Sequence, residues 1–461
     1  MQRRRKVNDD NGGEKEDEIP LESAERQNFD ESGEKAAGLV SPIVIGVVLR
    51  ALCFVYVRPF LLKRPELTSP LVSFRRLQDG IAMYRDGISP YEGDLFHFQP
   101  LVLRLLSLAN PSELVVFVVF VLMDLVTSVL LSIGAHRYAI ETGSIDPGRI
   151  STTVLKCYFL NPITIASSAV LSLSVVHNFI TAAIVYFFSL GFILPCVALL
   201  SLSASLSMYP LILLGSVLLR FPSLKERLVA VGGLALGCGA LLLCNWLVNG
   251  MNWNFVEDTY GFILRVEDLS PNVGLVWYFF TQVFEHFRAF YLMVFQINLL
   301  VYVLPLVLSL RRDAHLHLVI SLLLVAVFSS YPTLNDSSIY IALLPMLEKY
   351  KKYPRYTLVV AGTIVTCVVL MPVMWHMWIV VGSGNANFYF AVTLIYNVAQ
   401  IYLMIDLMFA YFRRASDEVS AKGFFAGDIY LMIDLMFAYF RRASDEVSAS
   451  LVTSKTNFVL H

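Results

Sequence analysis

Apolar stretches long enough to cross a bilayer recur along most of this chain, at about residues 39–62, 112–133, 153–172, 178–199, 200–220, 228–249, 274–310, 357–381 and 388–412. A hydrocarbon core of about 30 Å requires roughly 20 such residues as a helix. Shorter or broken apolar stretches lie at 98–109, 317–332 and 338–347. The stretch 274–310 is too long for one straight span and predicts a bent or split helix. The expected fold is therefore an all-α polytopic membrane protein with about ten to twelve transmembrane helices, some kinked or broken. Composition agrees: 57% of residues are hydrophobic and 15% charged, against about 25% charged in soluble domains. A net charge of −1 leaves no electrostatic footprint for nucleic acid.

The membrane domain is expected over residues 39–412. Ahead of it, residues 1–38 hold seven Lys/Arg, eleven Asp/Glu and one aromatic residue, a composition that predicts a disordered acidic cytoplasmic tail. No apolar run follows MQRRRK closely enough for a signal peptide. Basic clusters at Arg311–Arg312, Leu347–Arg355 and Arg413–Arg414 place those segments on the cytoplasmic side. That orientation puts Tyr331–Ser338 and Gly382–Asn387 in the lumen, although the Lys/Arg flanking the first helix argue the other way. The loop 65–100 predicts an amphipathic interfacial helix ending near Gly87 and Ser89-Pro90. Asn161-Pro162 and Tyr209-Pro210 predict kinks within apolar segments.

Polar side chains inside the apolar runs mark candidate sites, because ionisable groups at membrane depth cost roughly 2.5–3.5 kcal/mol by insertion scales. Asp124, within VVFVLMDLVTSVLL, needs a partner, and Arg50 in the first helix is the natural one. That pair reads as a structural link between helices. In the aromatic run 260–298, Glu285 with Arg288 and Gln282 with His286 have helical i,i+3 and i,i+4 spacing. They predict either an internal polar network or a head-group site beside an aromatic wall that includes Trp277 and Phe280. Between two strong helices, GSGNAN offers Ser383, Asn385 and Asn387 as donors and acceptors for a glycan, an ethanolamine phosphate or a partner's backbone; Gly and Asn are also simply good turn residues.

Catalytic and metal signals are weak. The six cysteines lie in apolar runs without CxxC or Cys/His spacing, and His286 has no companion ligands. No metal or cofactor is expected. Glu92 and Asp94 form the acidic pair nearest to the arrangement used by lipid-linked sugar transferases of GT-C architecture, so a dolichol-phosphate-mannose-dependent mannosyltransferase is the alternative reading; a solvated loop pair is the simpler account. Asn335-Asp336-Ser337 is a glycosylation sequon, which reads more simply as an unmodified turn. No repeat halves of a transporter are evident.

Several blocks, in order, resemble one family: GISPYEGDLFHFQPL near Gly87, YFLNPITI near Tyr158, SMYPL near Ser207, VEDLSPNVGLVWYFFTQVFEHF and FQIN within 260–298, YPTLND at Tyr331–Asp336, and MPVMWHMWIVVGSGNANFYFAVTLIYNVAQ from Met371. Over roughly residues 40–414 the chain resembles the class U subunit (PIG-U) of the glycosylphosphatidylinositol (GPI) transamidase. The resemblance implies a GT-C-like helical bundle in the endoplasmic-reticulum membrane. It also implies a non-catalytic role in recognising the GPI lipid, in scaffolding, or in both. The expected partners are membrane lipids, the catalytic cysteine-protease-like class K subunit, and the class S, class T and GPAA-type subunits.

The C-terminal tail, 413–461, departs from that pattern. IYLMIDLMFAYFRRASDEVSA at 401–421 recurs identically at 429–449. The second copy is short for a span and predicts an interfacial or loose segment.

Overall fold

The computed structural model describes residues 5–7, 15–17, 40–109 and 111–421. Apart from two short strands, the expected N-terminal tail lies outside the described residues, as does the second repeat copy at 429–449. Those strands, Arg5–Val7 and Lys15–Asp17, pair antiparallel and are far below the size of an independently stable sheet. The rest of the regular structure is helical.

The helices run α1 Val40–Leu61, α2 Phe74–Arg85, α3 Pro100–Ala109, α4 Glu113–Glu141, α5 Pro147–Phe159 and α6 Pro162–Ala169. They continue with α7 Ser174–Leu190, α8 Ile193–Ser207, α9 Tyr209–Arg220, α10 Leu224–Val248, α11 over 254–265 and α12 Val276–Gln282. The last five are α13 Glu285–Ser309, α14 Ala314–Phe328, α15 over 334–350, α16 Thr357–Val381 and α17 Ala386–Ala421. Six of them, α1, α4, α10, α13, α16 and α17, are long and apolar enough to cross a membrane, and α3, α7, α8, α9 and α14 are shorter apolar helices.

Local chemistry sets the boundaries. Ser112 caps α4 by accepting from Val115 N, and Asp146 caps α5 by accepting from Arg149 N at 2.9 Å. At Asn161-Pro162 the chain does more than kink. Asn161 Oδ1 accepts from Ile163 N at 3.0 Å and starts α6 as a new helix, with Pro162 in its first turn. The expected boundary at 199/200 is displaced. The break falls at Gly191, whose φ of +82° ends α7 in the left-handed conformation that glycine adopts without strain. The stretch 274–310 is split at Val283, which is extended (φ −79°, ψ 133°). The helix expected in loop 65–100 is α2, with Phe74, Leu77, Gly80 and Ile81 on its buried face. A Cβ at Gly80 would collide with the Phe96 ring, so glycine is needed there for close approach.

The described residues divide into two compact units, those up to 348 with 366–397, and 349–365 with 398–421. In the first, α4 packs along α5 and α7, and α8 along α10. Leu131, Val154, Tyr158, Phe159, Ile184 and Phe188 are fully buried in this core. In the second, Asp406 accepts from the backbone N–H groups of Arg355 and Tyr356, and Arg414 donates to Lys349 O.

Candidate functional site

The Gly382–Asn387 loop is a tightly closed turn. Helix α16 ends in a π-helical turn, Met377–Val381, and Gly382 turns left-handed at φ +74°. Gly384 N donates back to Met377 O at 3.1 Å. Asn385 Oδ1 accepts from Asn387 N at 3.0 Å and Phe388 N at 3.3 Å, capping α17. Asn387 Oδ1 accepts from Tyr278 Oη at 2.6 Å. Neither amide nitrogen is used in these bonds, and Ser383, Asn385 and Asn387 are all exposed. The turn thus combines structural capping with outward-facing donors.

Aromatic rings back this tip. Tyr278 stacks on Phe390 with centroids 4.0 Å apart, and Trp277 meets Phe390 edge-on at 6.1 Å. Tyr389 lies among Trp277, Trp375 and Trp378, at 6.3, 5.3 and 6.3 Å. Trp277 is buried, and its indole Nε1 has no hydrogen-bond partner among the described residues.

Behind the rings sits Glu66, which sequence reasoning missed. It is 2% exposed, and among the described residues neither carboxyl oxygen has a hydrogen-bond partner. The Tyr389 hydroxyl faces it at a geometry short of a full hydrogen bond. Burial pushes its pKa up to about 7; its own backbone, nearby Arg64 and Tyr389 pull the other way. Arg64 Nη1 donates to Pro372 O in α16 at 2.8 Å, and Leu334 N donates to Glu66 O at 2.9 Å. The only sequence signal is an acidic residue between Pro65 and Leu67 in the loop that follows the first helix.

The expected network around Gln282 and Glu285 does not form, because Val283 and Phe284 interrupt the helix. Gln282 ends α12 and Glu285 opens α13, so helical spacing does not relate Gln282 to His286. Gln282, Glu285 and His286 are exposed. Arg288 turns away from Glu285 and donates to Arg265 O and Val266 O at 3.3 and 3.0 Å. Phe280 packs with Phe262, Val266, Val276 and Tyr331 in an adjoining core cluster. Of the proposed lipid contacts, then, Ser383, Asn385, Asn387 and Trp277 come together and Gln282, Glu285 and His286 stand apart.

Arg50 and Asp124 are both fully buried, and Arg50 Nε lies 3.1 Å from Asp124 Oδ2. Asp124 also accepts from Tyr158 Oη at 3.1 Å, while Arg50 donates to Phe159 O at 2.7 Å and Thr164 Oγ1 at 3.1 Å. Glu92 and Asp94 are exposed. Glu92 lines a cleft of about 420 Å³ with Tyr84, Arg104, Asn249 and Asn254, whereas Asp94 does not. The two carboxylates therefore do not share that cavity.

This fold and this tip define a multi-pass, α-helical membrane protein that presents a polar, aromatic-backed turn. Residues 44–396 match the model of the family described as GPI transamidase subunit PIG-U. The chain belongs to that family. It is 33% identical over 414 residues to the GPI-anchor transamidase component PIGU of Mus musculus, covering 82% of this chain and 94% of that protein. Identity to the human protein of the same name is 32% over 415 residues, with the same coverage. Identity to the GPI transamidase component GAB1 of Saccharomyces cerevisiae is 29% over 350 residues, covering 76% of this chain and 87% of that one.

Proposed function

We propose that this chain is a non-catalytic subunit of the GPI transamidase complex in the endoplasmic-reticulum membrane, and that the 382–387 tip takes part in holding the GPI lipid. The similarity to named transamidase components over nearly their whole length supports the subunit role. The Tyr278–Asn387 hydrogen bond carries the lipid reading, because it ties an exposed amide turn to an aromatic wall. Amide groups suit glycan hydroxyls and phosphate oxygens, and the aromatic and aliphatic surface beside them suits acyl chains. The chemistry falls to the class K cysteine-protease-like subunit. The present chain would hold that subunit with the class S, class T and GPAA-type partners.

The test is rescue of cells lacking the class U subunit, reading surface GPI-anchored proteins, uncleaved proproteins and subunit co-purification. Wild type should rescue. Asn385→Ala/Asn387→Ala should assemble normally yet leave proproteins uncleaved. Full rescue by the double variant would remove the tip from lipid recognition and leave a scaffold.

A further inference from the structure

Loop 62–73, which follows α1, holds both arms of the α16–α17 hairpin. Arg64 Nη1 grips Pro372 O in α16, ahead of the π-helical turn that begins at Met377. Glu66 faces Tyr389, two residues past Asn387, and its backbone carbonyl receives Leu334 N. A carboxyl group with neither oxygen bonded is an expensive choice for packing alone, since desolvating a polar group without a partner costs about 1–3 kcal/mol on protein scales. An apolar side chain of similar volume would fill the same space more cheaply.

We propose that Glu66 is a positioning residue for the tip: its carboxyl engages the Tyr389 hydroxyl, fixes the start of α17, and so sets how Asn385 and Asn387 are presented beside Tyr278. This rests on the proposed role of the tip in lipid recognition. Glu66 itself is buried, so it acts through Tyr389. The titratable and charged groups facing it are Arg64, from its own loop, and Tyr389, from α17. The Arg64 guanidinium is already held by Pro372 O and lies 4.0 Å over the Phe60 ring. Burial raises Glu66 to about 7, so below that pH the group is a neutral acid whose carbonyl oxygen can accept from Tyr389 Oη, and above it the site gains a buried charge. A carboxamide oxygen can accept in the same way and never ionises.

The experiment compares Glu66→Gln, Glu66→Ala and Tyr389→Phe with Asn385→Ala/Asn387→Ala in the rescue assay, normalised to co-purified complex. Glu66→Gln should stay close to wild type, while Glu66→Ala and Tyr389→Phe should lose about tenfold or more per assembled complex, the scale expected when a group is misplaced by a fraction of an ångström to one ångström. The pH profile of the purified complex separates positioning from mere support. Wild-type activity should fall relative to Glu66→Gln as pH rises through about 7. Glu66→Ala matching wild type while the asparagine variant fails would overturn the positioning role and leave the tip reading standing. Superimposable pH profiles for wild type and Glu66→Gln would overturn it as well, even if Glu66→Ala does not assemble. Full activity of the asparagine variant would remove both.

Discussion

Arg50 Nε stands 3.1 Å from Asp124 Oδ2, and solvent reaches neither side chain. Because Tyr158, Phe159 and Thr164 supply further hydrogen bonds, the pair joins α1 to α4, α5 and α6. Removing one partner leaves the other charge buried, which costs roughly 3–5 kcal/mol. Asp124→Ala should therefore lower the melting temperature and the steady-state level of the chain. Arg50→Met/Asp124→Leu should recover part of both, since no orphan charge remains. A double variant as damaging as the sum of the two single variants would mean that the pair does not act as a unit.

Tyr278→Phe removes one hydroxyl and keeps the ring that stacks on Phe390. The lost hydrogen bond to Asn387 is worth on the order of 1 kcal/mol, so the variant should fold and assemble. Its effect should appear in proprotein cleavage and should not add to that of Asn387→Ala, because both changes break the same bond. Additive losses in the double variant would show that the two residues act separately.

The helical architecture was legible because apolar runs of spanning length leave the chain few alternatives. The breaks were less so. Asn161-Pro162 announces an interruption, but whether it kinks a helix or starts another depends on Asn161 Oδ1 reaching Ile163 N. Gly191 ends α7 where apolar composition alone placed no boundary. The Gln282–His286 relation presumes one continuous helix, and Val283 breaks it. At the site, the glycine-rich turn and Trp277 could be picked out as residue types. Glu66, which faces Tyr389, could not, because its burial is created by segments far along the chain, while locally it reads as an ordinary loop acid.

Asn335 carries a sequon but is fully buried. Its Nδ2 donates to Ser174 Oγ at 2.8 Å, its Oδ1 accepts from Ser338 Oγ at 2.9 Å, and the neighbouring Thr333 and Asp336 form a capping box. A nitrogen so held cannot receive a glycan in the folded protein. Endoglycosidase should leave the electrophoretic mobility of the chain unchanged, and a mobility shift abolished by Asn335→Gln would refute this. Asn335→Ala should instead destabilise by about 1–3 kcal/mol, the cost of leaving buried hydroxyls without partners.

Glu66 should also make stability depend on pH. Its pKa is raised from an ordinary 4.5 to about 7, chiefly by burial, so in this interval the folded chain holds a proton that the unfolded chain has released. Stability contributed by the neutral carboxyl is complete below 4.5 and is lost as pH rises through about 7. At about 1.4 kcal/mol for each pH unit, the interval corresponds to roughly 3 kcal/mol. Melting of the purified chain in detergent, followed from pH 5 to 8, should show wild type declining relative to Glu66→Gln, which has no proton to lose. Parallel curves would mean that Glu66 is hydrated or ionised in the folded protein, and the inverse slope would mean that a cation compensates its charge.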